Sequence, residues 1–214
     1  MRTTLHCQWY VSQSEERNAE IEFCARRNLD NESIDRFVWY VPAEDMASRP
    51  AWLVGDIVQI PDRLTYGSVL RKASDPLSLH ILINTDIVVT PEAVGKLRER
   101  MHAVDIVCLT RWESSMDSFP ACRLTKGPNS QDLWAWWGNL AVVNPVTTRT
   151  LDDIPLGVPA CDNRVAYEFS KIGHVLNPAH SIKTMHIHAS AYRTYTPRST
   201  PPVPRPYRKV PLSE

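Results

Sequence analysis

The sequence predicts an α/β protein built on a mixed, mostly parallel sheet flanked by helices. Ile81, Leu82 and Ile83 form an apolar run without alternation, the pattern of a strand covered on both faces. Strand-like segments alternate with amphipathic helices, beginning with a β-α-β unit. The apolar run ends in Asn84-Thr85-Asp86, so a buried strand carries an acid to its tip, where open α/β sheets bind ligands.

With 214 residues, 43% of them hydrophobic and seven of them tryptophan, the chain is sized for one domain with a sizeable core. Its formal net charge is zero, so no global field steers it toward nucleic acid or an anionic membrane, and any basic surface is local. Five cysteines are scattered without a Cys-x-x-Cys pair, which predicts reduced, packed thiols and a cytoplasmic setting. Met1-Arg2-Thr3-Thr4-Leu5 lacks a signal-peptide core, and no stretch reaches the length of a membrane span.

The elements follow in order. Leu5–Val11 reads as a strand; Ser14 caps a helix that runs to about Asn28, with Glu15 and Glu16 in its first turn and Glu20, Glu22, Arg26 and Arg27 facing out. Ile34–Val41 is the second strand, stopped by Pro42, and parallel pairing makes the crossover right-handed. No Gly-x-Gly-x-x-Gly follows the first strand, which excludes a dinucleotide fingerprint. Val54–Ile60 is a short strand, and after it Arg63 and Tyr66 are spaced to share one face of a helix, the arginine suited to a diphosphate and the tyrosine to stacking or to the core. Thr90-Pro91-Glu92 opens a helix with Ala93, Val94, Leu97 and Met101 turned inward.

Asp105–Thr110 is the next strand, and a strand-helix-strand order puts Arg111 and Trp112 beside Asp86 as candidate substrate contacts. Ser114–Ser130 reads as a long loop of the kind that covers a site. Beyond it, Trp134, Trp136 and Trp137 offer flat faces to a sugar ring or bulk to the core, and Asp132 beside them can accept hydrogen bonds from sugar hydroxyls. Leu140–Val143 reads as a strand closed by Asn144-Pro145. Asp162 opens the last helix, either as its cap or as an acid for catalysis, and Gly173 ends it. Alternation then places His186 and His188 on one face of an extended segment, spaced to approach one cation. From Tyr192 the chain is rich in Arg, Tyr and Pro: extended, unable to form a helix or central strand, and read as residues 191–214 beyond a domain of 1–190. Its expected roles are a solvated tail, a strap over a neighbouring subunit in a homo-oligomer, or a basic arm along phosphates.

Asn84-Thr85-Asp86 between apolar runs resembles the Asp-x-Asp element of glycosyltransferases with the GT-A fold, with Asn in place of the first acid. The acid opening a later helix and the histidine pair after it occur in that family's order. Cys161-Asp162 stands where many relatives have Glu-Asp. Within the family the chain is similar to compact bacterial and phage sequences sharing Arg-x-Thr-Tyr, Asn-x-Asp-Ile, Ser-Gln-Asp-x-Trp, Cys-Asp-Asn-Arg and a closing His-x-His. The resemblance implies Mn²⁺ or Mg²⁺ held by Asp86 with His186 or His188. It implies a nucleotide-sugar donor, most simply a UDP-sugar, contacted by Arg63, Tyr66, Asn84, Arg111, Asp132, Trp134 and Asn163. It makes Asp162 the base of an inverting transfer to a glycan, a lipid-linked saccharide or a hydroxylated DNA base. A nucleotidyltransferase would share the sheet and the metal but would show a Gly-rich basic loop at Val11–Glu16; a non-catalytic sugar-binding or assembly protein is the other alternative.

Overall fold

The computed structural model describes residues 2–125, 130–188 and 200–214. The first half contains β1 (Arg2–Gln8), α1 (Glu15–Leu29), β2 (Arg36–Pro42), a 3₁₀ turn (Ala43–Ser48), β3 (Asp56–Ile60), α2 (Tyr66–Lys72), β4 (Ser78–Ile83), β5 (Ile87–Val89) and α3 (Pro91–Arg100). The second contains β6 (Asp105–Thr110), β7 (Trp112–Ser114), β8 (Arg123–Leu124), β9 (Gln131–Trp137), α4 (Leu140–Val143), α5 (Pro145–Leu151), α6 (Cys161–Phe169), β10 (His174–Leu176) and β11 (Thr184–Ile187).

The main sheet has seven strands in the order β10-β6-β9-β4-β1-β2-β3. All its pairings are parallel except those of β9, which runs antiparallel between β4 and β6. This corrects the simple strand-helix-strand expectation: the tip of β6 does not neighbour the tip of β4, because β9 lies between them. The reversed direction brings the first residues of β9, Gln131 and Asp132, to the edge where the parallel strands end. A second sheet, β5-β11-β7-β8, stands beside that edge. Of the expected Ser114–Ser130 loop, Ser114, Arg123 and Leu124 belong to it, with Trp112 and Glu113 pairing with Leu124 and Arg123 in an antiparallel hairpin.

Local chemistry explains the helices. Ser14 Oγ accepts the Arg17 N–H at 3.3 Å and Thr90 Oγ1 accepts that of Ala93 at 3.1 Å, as their capping positions predict. Leu140–Val143 is a helical turn and not a strand: Gly138, at φ +68°, breaks β9, and Asn139 Oδ1 caps the turn through the Val142 N–H at 3.2 Å. Glu20 is fully buried against Arg17 rather than turned to solvent.

The core occupies both faces of the sheet. Alternation on β9 sends Leu133 and Ala135 to one face and Trp134 and Trp136 to the other, all of them fully buried. Tyr66 lies on the second face with its ring edge-on to Trp134, centroids 5.0 Å apart. Residues 200–214 contain no helix or strand and pack on this same face, burying Val203 and Val210 in its cluster. Backbone hydrogen bonds join Val203 to Pro159, Arg208 to Asn163 and Ser213 to Asn177. That stretch is docked onto the domain rather than solvated; the Tyr192–Arg198 part of the basic arm falls outside the described residues. All five cysteines are free thiols. Among the described residues, no helix is long and apolar enough to cross a membrane.

Candidate active site

The carboxyl edge of the sheet opens into a cleft of about 580 Å³. Its floor is the tip of β4. Asp86 Oδ2 accepts Arg17 Nη1 at 2.9 Å and His186 Nε2 at 3.2 Å, and Arg17 also reaches Thr85 Oγ1 and the Tyr10 hydroxyl, each at 3.3 Å. The other ring nitrogen of His186 donates to Glu113 Oε2 at 2.8 Å. Burial acts to raise the Asp86 pKa, but the hydrogen bond and charge of His186, then those of Arg17, outweigh it and hold the carboxylate well below its usual range. Burial lowers the His186 pKa, yet its hydrogen bonds to the Asp86 and Glu113 carboxylates carry it up to about 9, which favours the protonated ring at neutral pH. The His186 bond holds Glu113 down at about 2 despite its partial burial.

The start of β9 links the two neighbouring tips. Asp132 Oδ1 takes the Asn84 side-chain amide at 2.6 Å, and Oδ2 takes Arg111 Nη1 and Ser130 Oγ, each at 3.2 Å. Both Asp132 oxygens are thus engaged in tying β4 to β6, while the residue still lines the cleft. Arg111 divides its guanidinium between Asp132 and Glu113.

Asp162 faces this group from the start of α6. It lies inside the helix and is not its cap; the cap position is Ala160, held at φ 65° without a side-chain hydrogen bond. Asp162 Oδ1 accepts the Asn163 N–H at 2.9 Å and Oδ2 accepts the Gln131 N–H at 3.3 Å, which joins α6 to β9. Burial pushes the Asp162 carboxyl up to about 6; the Asn163 N–H works against this, and the charge of Asp132 adds to it.

Eight of the expected site residues therefore meet at one cleft: Arg63, Asn84, Asp86, Arg111, Asp132, Asp162, Asn163 and His186. Arg63 precedes α2 rather than sharing its face with Tyr66, and its Nη1 lies 3.4 Å from the Gly157 carbonyl. Two expectations fail on burial. Trp134 is fully enclosed in the core and offers no face to a sugar, and Tyr66 is 1% exposed with its hydroxyl 3.6 Å from Cys161 Sγ. His188 is exposed, stacks on His186 with centroids 5.5 Å apart, and lines a second groove beside the cleft.

The oxygen chemistry of the β4 tip fits a hard divalent cation. Asp86 Oδ1 and Asn84 Oδ1 are buried without a hydrogen-bond partner, and both residues line the cleft. Mg²⁺ and Mn²⁺ commonly take one or two protein oxygens and complete their shell from substrate phosphates and water. In this arrangement both ring nitrogens of His186 are engaged, Nε2 with Asp86 and Nδ1 with Glu113, so serving as a cation ligand would require Nε2 to exchange Asp86 for the metal. Among the described residues, no group of three or more His, Cys, Asp or Glu side chains forms a metal centre.

Sequence reasoning missed Arg17, Glu113 and Gln131. Arg17 had one readable signal: it lies in the first turn of a helix that Ser14 starts directly after the first strand, hence at the ligand edge. The partners of Glu113 and Gln131 come from distant elements.

No protein-family model matches the chain, and neither does any curated protein sequence. Solved structures do match in fold. The mannosyltransferase PcManGT from Pyrobaculum calidifontis, in complex with GDP-Man and Mn²⁺, is 14% identical with a TM-score of 0.54 over 91% of this chain and 58% of its own. A 4-diphosphocytidyl-2C-methyl-D-erythritol synthase is 14% identical with a TM-score of 0.52 over 92% of this chain and 94% of its own. TarS from S. aureus is 7% identical with a TM-score of 0.52, and this chain spans 37% of its length. The protein has the GT-A-like fold shared by nucleotide-sugar transferases and related nucleotidyltransferases.

Proposed function

We propose that this protein is a glycosyltransferase that moves a sugar from a nucleotide-diphosphate donor to an acceptor hydroxyl with inversion. One observation carries the reading: Asp86 and Asp162, from opposite halves of the chain, line a single cleft together with Arg17, Arg63 and Arg111.

The three arginines put positive charge beside the donor diphosphate. With a pKa of about 6, Asp162 is ionised at neutral pH and still basic enough to take the acceptor proton. As the acceptor oxygen bonds to the anomeric carbon, its proton passes to Asp162. The bond from that carbon to the diphosphate oxygen breaks, and the electron pair departs with the diphosphate. Asp132 orients Asn84 and Arg111 around this centre. Held by Asp86 and Asn84, Mn²⁺ or Mg²⁺ would supply charge neutralisation for the leaving diphosphate.

The test is nucleotide-sugar hydrolysis and transfer over a donor panel, with Mn²⁺ or with chelator, for wild type and Asp162→Asn. We expect metal-dependent turnover that falls by about 10²–10⁴ in the variant. No turnover with any donor, or turnover indifferent to the substitution, overturns the reading. Because the 4-diphosphocytidyl-2C-methyl-D-erythritol synthase matches in fold along nearly its whole length, nucleotidyl transfer is the second reading; pyrophosphate release from a nucleoside triphosphate and a sugar phosphate would favour it. For the acceptor we carry forward a glycan, a lipid-linked saccharide or a hydroxylated DNA base. The DNA case is best tested by neutralising Arg205 and Lys209, because deleting the segment would also remove the buried Val203 and Val210.

A further inference from the structure

The Cys-Asp-Asn-Arg run that opens α6 carries a second charged side chain, Arg164, two residues beyond Asp162. All three of its guanidinium nitrogens are engaged. Nε and Nη2 donate to Glu168 Oε1 at 3.1 and 2.8 Å, while Nη1 donates to the Pro204 and Arg205 carbonyls at 3.0 and 2.8 Å. Glu168 is fully buried, and Lys171 Nζ donates to its other oxygen at 2.6 Å. One end of the guanidinium is thus fixed to the helix and the other grips the C-terminal segment. That segment adds two bonds of its own, one on each side of Asp162: the Val203 N–H donates to the Pro159 carbonyl at 3.0 Å and the Arg208 N–H to that of Asn163 at 2.9 Å. Val203 and Val210 pack in the same apolar cluster as Cys161, Val165 and Ala166 of α6. The helix start needs such outside support, because Ala160 in the cap position is held at φ 65° and supplies no side-chain hydrogen bond.

We propose that Arg164 is a positioning residue, which sets the Asp162 carboxylate in the cleft by fastening the first turn of α6 to the C-terminal segment; this rests on the transferase reading above. Asp162 is held by the Asn163 and Gln131 N–H groups, so its carboxylate goes where that turn goes. Pro159 and Asn163, whose carbonyls the segment holds, line the cleft beside it. A base must lie within hydrogen-bond reach of the proton it takes, and small displacements cost rate steeply. The choice of arginine follows from its fork. Lysine offers a single nitrogen, which cannot serve the helix carboxylate and two segment carbonyls together.

The experiment measures kcat and donor KM against pH for the full chain as wild type, as Arg164→Lys, and as Arg164→Gln combined with Glu168→Gln. The double variant leaves no buried carboxylate short of its partner, and thermal melting confirms that each variant is folded. We expect kcat to fall on the order of tenfold to a hundredfold with donor KM held within about twofold. The acidic limb of the kcat profile should also move down from about 6, because a loosened helix start admits water to Asp162 and relieves the burial that raises it. The titratable groups that sense this charge are Asp132 on β9, Cys108 on β6, Tyr66 on α2 and the adjacent Cys161, and all of them stay in place in both variants. A merely structural role would scale kcat down equally at every pH. Carbon-13 NMR titration of the Asp162 carboxyl, assigned by its loss in Asp162→Asn, reads the same shift without substrate. Wild-type kcat in the variants, or a lowered kcat with the limb and the carboxyl titration unmoved, overturns the assignment while leaving the transferase reading intact. A moved carboxyl titration in a protein that turns over no donor supports the role of Arg164 and overturns the transferase reading.

Discussion

Replacing Asp162 by Asn should cost activity and raise stability, and the size of the second effect follows from the site. Burial takes this carboxyl from its ordinary 3.8 to about 6. That rise of about 2 pH units corresponds to about 3 kcal/mol of penalty on the charged form. An acid whose folded pKa is raised binds more protons folded than unfolded, so the penalty is absent below the unfolded value and complete above the folded one. The substitution also gives something up. Asp162 accepts two backbone N–H groups, from Asn163 and Gln131, and an amide offers only one oxygen, so one bond worth about 1 kcal/mol is lost. The net gain near neutral pH is about 2 kcal/mol, or roughly 4–8 °C in melting temperature for a chain of this size. Urea unfolding of both proteins at neutral pH and at about pH 4 reads it directly. The variant should be the more stable at neutral pH and lose that advantage in acid. A variant that is no more stable at neutral pH, or whose difference from wild type does not change with pH, would refute the claim that Asp162 is held ionised against its surroundings.

Three further outcomes follow from the fold. His6 and His80 form a buried chain, with His6 between the Tyr40 hydroxyl at 3.1 Å and His80 at 3.0 Å. Burial lowers both pKa values, with the His80 charge adding to the effect at His6, so stability should fall as pH drops below their ordinary 6.5, and His80→Gln should flatten that slope in urea titrations. Trp134→Ala should cost about 3–5 kcal/mol in unfolding measurements while leaving the donor KM of the folded fraction unchanged, because the ring fills core and not cleft. Asn177→Leu removes bonds to the Thr110 N–H at 2.9 Å, to Thr110 Oγ1 at 2.9 Å and to the Val210 carbonyl at 3.0 Å. It should destabilise by about 2–4 kcal/mol and expose residues 200–214 to limited proteolysis.

What the sequence disclosed was mostly local. Ser14 and Thr90 cap their own helices through contacts three residues away, and the unalternating run at Ile81–Ile83 records burial on both faces of a central strand. That Asp86 and Asp162 lie at element ends was legible from the apolar run and the helix start beside them, and the structure puts both on one cleft. The insertion of β9 was not, since no local pattern states which strands will flank a segment, and without it the link from Asp132 to both Asn84 and Arg111 could not be drawn. Leu140–Val143 failed for a related reason: four apolar residues are too few to carry a period, and the Asn139 cap outweighed the β-branched side chains.

The position of β9 also governs how the cleft can move. Asp132 shares its strand with Trp134 and Trp136, two of the largest fully enclosed side chains of the protein, so it cannot detach without dragging the hydrophobic interior apart. Substrate entry must then be accommodated by the segment leading into α6 and by the turn after β2, while the floor between Asn84 and Arg111 behaves as a fixed anvil against which the moving walls close.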